Sequence, residues 1–250
     1  MVHHKKSKSP TVLLVLPVHN EAREVPRISR AIRGLLAKNR HVSLRVVDDG
    51  SDDGTVEAFR HALRGFKNAS VMSLPHNGGK GRAVRLGLTG GRQDLWIFMD
   101  GDLAYEFHHV APMVKALQEH EVVIGSRSMV AQPEGGLPAR RAFLGWGFNR
   151  LACYWLGFDY PDTQAGLKGF RRAAGQKLFS RQKLDDFAFD AELLYLARKL
   201  GLKVGQIPAQ VSGLHNYKTS QVKLTFDTVR CLLDFLRIRF WSWTGQYRHP

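Results

Sequence analysis

At 250 residues, 44% hydrophobic and 24% charged, the chain has the profile of one globular domain with a sizeable core, which excludes a disordered tail, a collagen repeat and a coiled coil. Lysine and arginine number 37 against 22 aspartates and glutamates, a formal charge of +15 that favours a polyanionic or phosphorylated partner and leaves the fold open. The two cysteines, Cys153 and Cys231, are far apart and lack metal-ligand spacing, so neither a disulfide framework nor a structural zinc site is expected, and a reducing cytoplasm fits.

Residues 1 to 10 are polar, basic and end in proline, as a mobile tail would. Val12 to Leu16, Leu44 to Val47, Ser70 to Leu74, Leu95 to Met99 and Val122 to Ile124 are short runs rich in Val, Ile and Leu without clean alternation, the pattern of strands buried on both faces of a parallel sheet. Helices are expected between them. Glu21 to Lys38 sets Val25, Ile28, Ile32 and Leu35 at three- and four-residue spacing, and Thr55 to Arg64 follows the cap-like Ser51-Asp52-Asp53-Gly54. The alternation predicts a doubly wound, mostly parallel α/β sheet with helices on both faces. One domain over 11–222 is expected, its ligand-binding half running to about residue 127. The second half reads as a Gly/Pro-rich loop (Gln132 to Pro138), an aromatic helix-like stretch (Arg141 to Gly157), a loop from Asp159 to Gly169 and a helix near Phe189 to Leu200. An amphipathic C-terminal helix and tail over 223–250 close the chain. No run reaches the roughly 18 apolar residues of a membrane span, so the chain is expected not to cross a bilayer.

Three acidic clusters each follow an apolar run: Asn20-Glu21, Asp48-Asp49-Gly50-Ser51 and Asp100-Gly101-Asp102. Carboxylates at neighbouring strand ends repel unless a cation or a donor-rich ligand lies among them, although each cluster alone is equally well a turn or a helix cap. In Asp100-Gly101-Asp102 a one-residue spacer lets hard oxygen ligands meet one divalent cation, magnesium or manganese, while glycine admits a phosphate chain close to the backbone.

Together Pro17-Val18-His19-Asn20-Glu21, Val47 to Thr55, Asn77-Gly78-Gly79-Lys80-Gly81, Asp100-Gly101-Asp102-Leu103 and Gly125-Ser126-Arg127 resemble, in order and spacing, the family-two glycosyltransferases of GT-A fold. Asp162-Thr163-Gln164-Ala165-Gly166-Leu167-Lys168-Gly169-Phe170 and Phe189 to Leu194 are similar to the subgroup that makes polyprenyl- and dolichyl-phosphate sugars. The resemblance implies that Pro17, His19, Glu21, Asp49 and Lys80 line a nucleotide-sugar pocket, with Asp49 accepting from the base. It implies that Asp100 and Asp102 flank the diphosphate and hold the metal, Asp102 directly. It also implies that Arg127 and Arg141 meet phosphate, and that Gln164, Ser220 and Lys223 serve the acceptor phosphate. Where some relatives carry a metal-binding glutamine after Asp-x-Asp-Leu, this chain has Ala104-Tyr105-Glu106; where others have Gly-x-Ser-Lys, it has Lys218-Thr219-Ser220-Gln221.

The reaction implied is transfer of a hexose from UDP-glucose or GDP-mannose to a polyprenyl phosphate, with inversion. A phosphate monoester with a second pKa near ~6 arrives already nucleophilic, whereas a sugar hydroxyl would need Asp162, Asp190 or Glu192 as base. Asp190 and Glu192 read as helix-start residues. A lipid acceptor requires an anionic membrane surface, hence a cytoplasmic, peripherally bound protein. Phe226, Val229, Leu233, Leu236, Phe240 and Trp243 form one helical stripe beside Asp227, Arg230, Asp234 and Arg237; it packs onto the domain itself or a partner subunit, or meets lipid. A soluble acceptor is the alternative within the same fold, and a separate membrane partner or a homo-oligomer is open. Nucleic-acid binding, prompted by the charge, is disfavoured by acidic clusters where a phosphate backbone would lie, so no nucleic-acid partner is expected.

Overall fold

The computed structural model describes residues 9–130, 147, 150–160, 162–212 and 224–248, with the side chains of 224–229 excepted. The elements run β1 (Val12–Val18), α1 (Val25–Lys38), β2 (Val42–Asp48), α2 (Thr55–Ala62), β3 (Ala69–Ser73), α3 (Lys80–Leu88), β4 (Leu95–Met99), α4 (Val110–Ala116), β5 (Val122–Ser126), a helical stretch α5 (150–156), β6 (Leu167–Arg171), α6 (Arg172–Phe179), α7 (Phe189–Lys199), β7 (Val204–Pro208) and α8 (Leu224–Trp243). One seven-stranded sheet has the order β3-β2-β1-β4-β6-β5-β7, parallel except for β6, which runs antiparallel to β4 and β5.

Period-two side-chain alternation splits the inner strands between two cores. Val12, Leu14, Leu16, Ile97 and Met99 face one side, covered by α1, α2 and α4; Leu13, Val15, Trp96 and Phe98 face the other, covered by α3 and α5 to α8. The inner strands are therefore buried on both faces and read as continuous apolar runs, whereas β3, expected to be buried in the same way, is an edge strand with Ser70 and Ser73 exposed.

Three expectations are corrected. The first helix starts at Val25 rather than Glu21, because Asn20 turns the chain with φ 56° and Pro26 sits in the first helical turn, where a missing N–H costs nothing. The expected loop from Asp159 to Gly169 gives way to strand β6 at Leu167. Lys168 had masked the strand as polar, yet its charge is wholly buried and paired within the core. On α8, Asp234 does not join a solvated polar stripe: it is buried with Cys231, Phe235 and Ile238, while Leu233, Leu236, Phe240 and Trp243 face outward. Among the described residues, no helix is long and apolar enough to cross a membrane.

The first three strands wind in one direction and β4 joins on the opposite side of β1, so the topological switch lies between β1 and β4. Open sheets of this kind bind ligands outside the carboxyl ends of the strands at that point. The residues there are Pro17 to Glu21 and Asp100 to Asp102.

Candidate active site

The turn after β1 is stitched to the turn after β2. Asn20 N–H donates to Ser51 Oγ (2.8 Å), Glu21 N–H to Thr55 Oγ1 (2.8 Å) and Ala22 N–H to Asp53 Oδ2 (3.0 Å), while Asn20 Oδ1 accepts from Asp52 N–H (3.1 Å). Asp48 is fully buried and accepts from Ser51 and Ser73, which makes it the brace of this turn. Asp49 points the other way and accepts Gly78 N–H (2.9 Å) and Gly79 N–H (2.8 Å), one on each carboxylate oxygen. The buried charge thus fixes the Asn77-to-Gly81 loop that opens α3, and the second lone pair of each oxygen is left for a further donor.

Lys80 begins α3 and lays its ammonium against Asp100 Oδ1 (2.6 Å), with Asp190 Oδ2 at 3.9 Å. Burial would lower the lysine pKa, but Asp100 and Asp190 override it and hold the group firmly protonated. Behind it, Lys168 Nζ donates to Asp190 Oδ1 (2.5 Å) and to the Ala165 carbonyl (2.8 Å). The backbone closes the same circle, since Asp100 N–H donates to Gly166 O (2.8 Å). A Cβ at Gly166 would collide with the Asp100 carboxylate, so only glycine lets the Asp162-to-Gly166 loop reach the Asp100 turn.

Of the two turn carboxylates, Asp100 is neutralised by Lys80, while Asp102 faces Glu21. Arg27 Nη2 donates to the Asp102 carbonyl (2.7 Å) and Ala104 N–H to Asp102 Oδ1 (2.9 Å), which hold its backbone and rotamer. Leu103, next in the chain, sits at φ 53°; with Asn20 it is one of the two described non-glycine residues at positive φ, and the two lie beside the acidic turns. Strain of this kind persists where surrounding structure over-determines it, commonly at sites. Burial, then the Asp102 charge, pushes the Glu21 carboxyl from its usual 4.5 up to about 7. Because the folded state binds the extra proton, stability of the metal-free protein should fall as pH rises from about 4.5 to about 7 and level off above it. Glu21→Gln should therefore melt higher than the parent at pH 8, with the gap closing toward pH 5; parallel melting curves across that range would disprove the coupling.

Arg127, at the end of β5, clamps Asp162 with Nε (2.6 Å) and Nη2 (2.8 Å), and its own N–H adds a third bond (3.1 Å). Burial would raise the Asp162 pKa; the guanidinium outweighs it and holds the carboxyl below the usual range. Glu192, fully buried, accepts from Lys183 N–H, Leu184 N–H and the Tyr247 hydroxyl (2.6 Å). Asp190 and Glu192 are thus internal braces rather than simple helix-start charges. Sequence reasoning missed Lys168 and the Glu192–Tyr247 bond; a lysine inside an apolar run was the one visible signal for the first.

The structure brings together Pro17, His19, Glu21, Asp49, Lys80, Asp100 and Asp102 through the turns after β1, β2 and β4 and the loop before α3, with Gln164 on the loop bonded to Asp100. His19 Nδ1 and Gln164 Nε2 are among the buried polar atoms without a hydrogen-bond partner, as are Trp96 Nε1 and Gln206 Oε1 elsewhere in the fold. Arg141, Ser220 and Lys223 lie outside the described residues. No cluster of three or more His, Cys, Asp or Glu side chains capable of enclosing a metal occurs among the described residues.

The family model for glycosyl transferase family 2 matches residues 13–179. The dolichyl-phosphate beta-glucosyltransferase of Mus musculus is 30% identical over 96% of this chain and 79% of its own length. That of Saccharomyces cerevisiae is 28% identical, over 98% and 79% respectively. Among solved structures, the glucosyl-3-phosphoglycerate synthase of Mycobacterium tuberculosis superposes with a TM-score of 0.66 at 21% identity, covering 96% of this chain and 82% of that one. A second structure of that synthase, TM-score 0.61, holds Mn2+, UDP and glucosyl-3-phosphoglycerate. With a match over two-thirds of its residues and this fold, the chain belongs to glycosyl transferase family 2 and is a glycosyltransferase of GT-A fold.

Proposed function

We propose that this glycosyltransferase moves glucose from UDP-glucose to a polyprenyl phosphate with inversion at carbon one. The observation that carries this reading is the state of the acceptor side. The Asp162-to-Gly166 loop is bonded directly to the Asp100 turn, yet each of the three carboxylates that the sequence offers as a base there is already engaged: Asp162 by Arg127, Asp190 by Lys168, Glu192 by Tyr247 and two backbone N–H groups. Such a site suits an acceptor that needs no base, and a dianionic phosphate is one. The names of the mouse and yeast relatives support the same acceptor class and favour glucose over mannose.

In this reading Pro17, His19, Glu21 and Asp49 receive the nucleoside, His19 and Gln164 gain partners from the bound substrates, and Lys80 supplies a fixed positive charge between the donor turn and the acceptor loop. Asp102 and Glu21 form a half-buried carboxylate pair whose mutual repulsion a divalent cation would relieve, so these residues fit a metal, with Asp102 as its direct ligand and Asp100 held by Lys80. A bound magnesium or manganese ion supplies charge neutralisation on the departing diphosphate. The residues of this chain hold the donor in line with the phosphate oxygen and exclude a competing water. Arg141, Ser220 and Lys223 are proposed acceptor-phosphate contacts, with Arg127 held at the rim by Asp162.

Asp49→Ala frees the Gly78 and Gly79 amides as well as the base contact, and should weaken UDP-glucose binding by about 1.5–3 kcal/mol, the range for hydrogen bonds to a charged group. Calorimetric titration returning the parent's affinity would remove Asp49 from the pocket. The acceptor is tested by incubating labelled UDP-glucose and GDP-mannose separately with polyprenyl phosphate and extracting into organic solvent. Label from UDP-glucose should enter the organic phase; label appearing only on water-soluble acceptors would favour the soluble-acceptor alternative.

A further inference from the structure

We propose that the outward face of α8 seats the protein on the headgroup layer of an anionic phospholipid bilayer, the helix lying in the surface plane. This rests on the lipid-acceptor reading for its purpose, and on the following geometry for its content.

Leu233, Leu236, Phe240 and Trp243 follow at steps of three, four and three, which places them on one side of the helix. They are 50%, 49%, 54% and 84% exposed, while Cys231, Phe235 and Ile238 on the opposite side are packed against the domain. The outward side cannot be relieved by rolling the helix, because three contacts pin it. Arg230 pairs with Asp186, Lys199 Nζ donates to Ser242 Oγ (2.7 Å), and just beyond the helix the Tyr247 hydroxyl donates to buried Glu192 (2.6 Å). The apolar stripe is therefore a fixed surface of the fold.

Charge selects the occupant. From Arg230 to Arg248 the segment carries Arg230, Arg237, Arg239 and Arg248 against a single carboxylate, Asp234, which is buried and accepts from Arg237 (2.9 Å). Arg230 and Arg237 pair with Asp186 and Asp234, which leaves Arg239 and Arg248 without an ion pair among the described residues, and an exposed stripe of Leu, Phe and Trp flanked by such arginines complements anionic lipid: rings and aliphatic chains enter the headgroup boundary, and guanidinium groups meet phosphate. Arg239 also lines a shallow, open depression beside the stripe with Tyr195, Phe240, Ser242 and Trp243. Spanning is excluded for α8 by its charge and hydropathy.

The test uses the full chain and the double variant F240E/W243E, both outward-facing, with a melting curve to verify the fold. The parent should co-sediment with vesicles of phosphatidylcholine and phosphatidylglycerol, more weakly with phosphatidylcholine alone and more weakly in high salt; the variant should lose at least about tenfold in vesicle affinity. Transfer to a long-chain polyprenyl phosphate in those vesicles should fall in parallel, while transfer to a short, water-soluble prenyl phosphate stays at the parent's rate. Unchanged sedimentation of a folded variant overturns the proposal, as does a parent dimer in analytical ultracentrifugation that the variant disperses. Vesicle binding by a parent that uses neither prenyl phosphate would instead overturn the acceptor reading and leave this surface standing.

Discussion

Asp102→Asn should reduce transfer by about a thousandfold while moving the melting temperature little, because it removes ligand charge where the leaving diphosphate is stabilised and breaks no packing. The side chain is partly exposed, and the bond from Ala104 N–H can be kept by the amide oxygen. Asp100→Asn is expected to act differently. It leaves the Lys80 ammonium without its 2.6 Å counter-charge and loosens the floor of the site, so it should also cost stability. Steady-state rates and melting curves for the two variants, with manganese and with chelator, separate the roles. An active Asp102→Asn, or parent activity undiminished by chelator, would exclude the metal-assisted arrangement.

Asp190→Ala should be the most destabilising single change considered. Its carboxylate is the partner of Lys168, whose side chain is fully buried, and removing one member of a buried pair strands a charge at about 3–5 kcal/mol. For a chain of this size that corresponds to a melting temperature lower by roughly 10 °C. The double variant K168M/D190L should recover a large part of the loss, since two apolar side chains replace a satisfied pair. A double variant whose loss equals the sum of the two single losses would show that the pair is not coupled. The same pair holds Ala165 O and stands behind Lys80, so the recovered double variant should fold yet transfer poorly.

The donor half was legible in the sequence because its physics is local. Strands buried on both faces show as runs of Val, Ile and Leu, and β4 begins and ends where Leu95 to Met99 does. The acidic turns announce themselves by following those runs, and the switch between β1 and β4 brings Glu21 and Asp102 close enough to shift a pKa. What stayed hidden depends on partners distant in the chain. Helix α3 was expected between the third and fourth strands but could not be delimited, since Gly81 and Gly87 weaken its pattern; Gly87 is there because Val15 and Val47 pack where its side chain would be. Strand β6 was hidden by Lys168, whose burial makes sense only once Asp190 is known to lie across from it. Of the expected C-terminal stripe, Leu233, Leu236, Phe240 and Trp243 share one helical face, while the side chains of Phe226 and Val229 lie outside the described residues; whether the face turned inward depended on Cys231, Phe235 and Ile238 forming a second apolar face that packs on the domain. Asp162 illustrates the same limit: as sequence it is a candidate base, and only the Arg127 fork shows it held as a carboxylate of low basicity.

The proposed chemistry, glucosyl transfer onto a phosphate oxygen with inversion, is tested most directly by the nuclear magnetic resonance spectrum of the product made from carbon-13-labelled UDP-glucose and a short prenyl phosphate. The donor is α-linked, so the expected product shows carbon one split by phosphorus and in the β configuration. Retained α configuration, or a carbon-one resonance with no phosphorus coupling, would refute it.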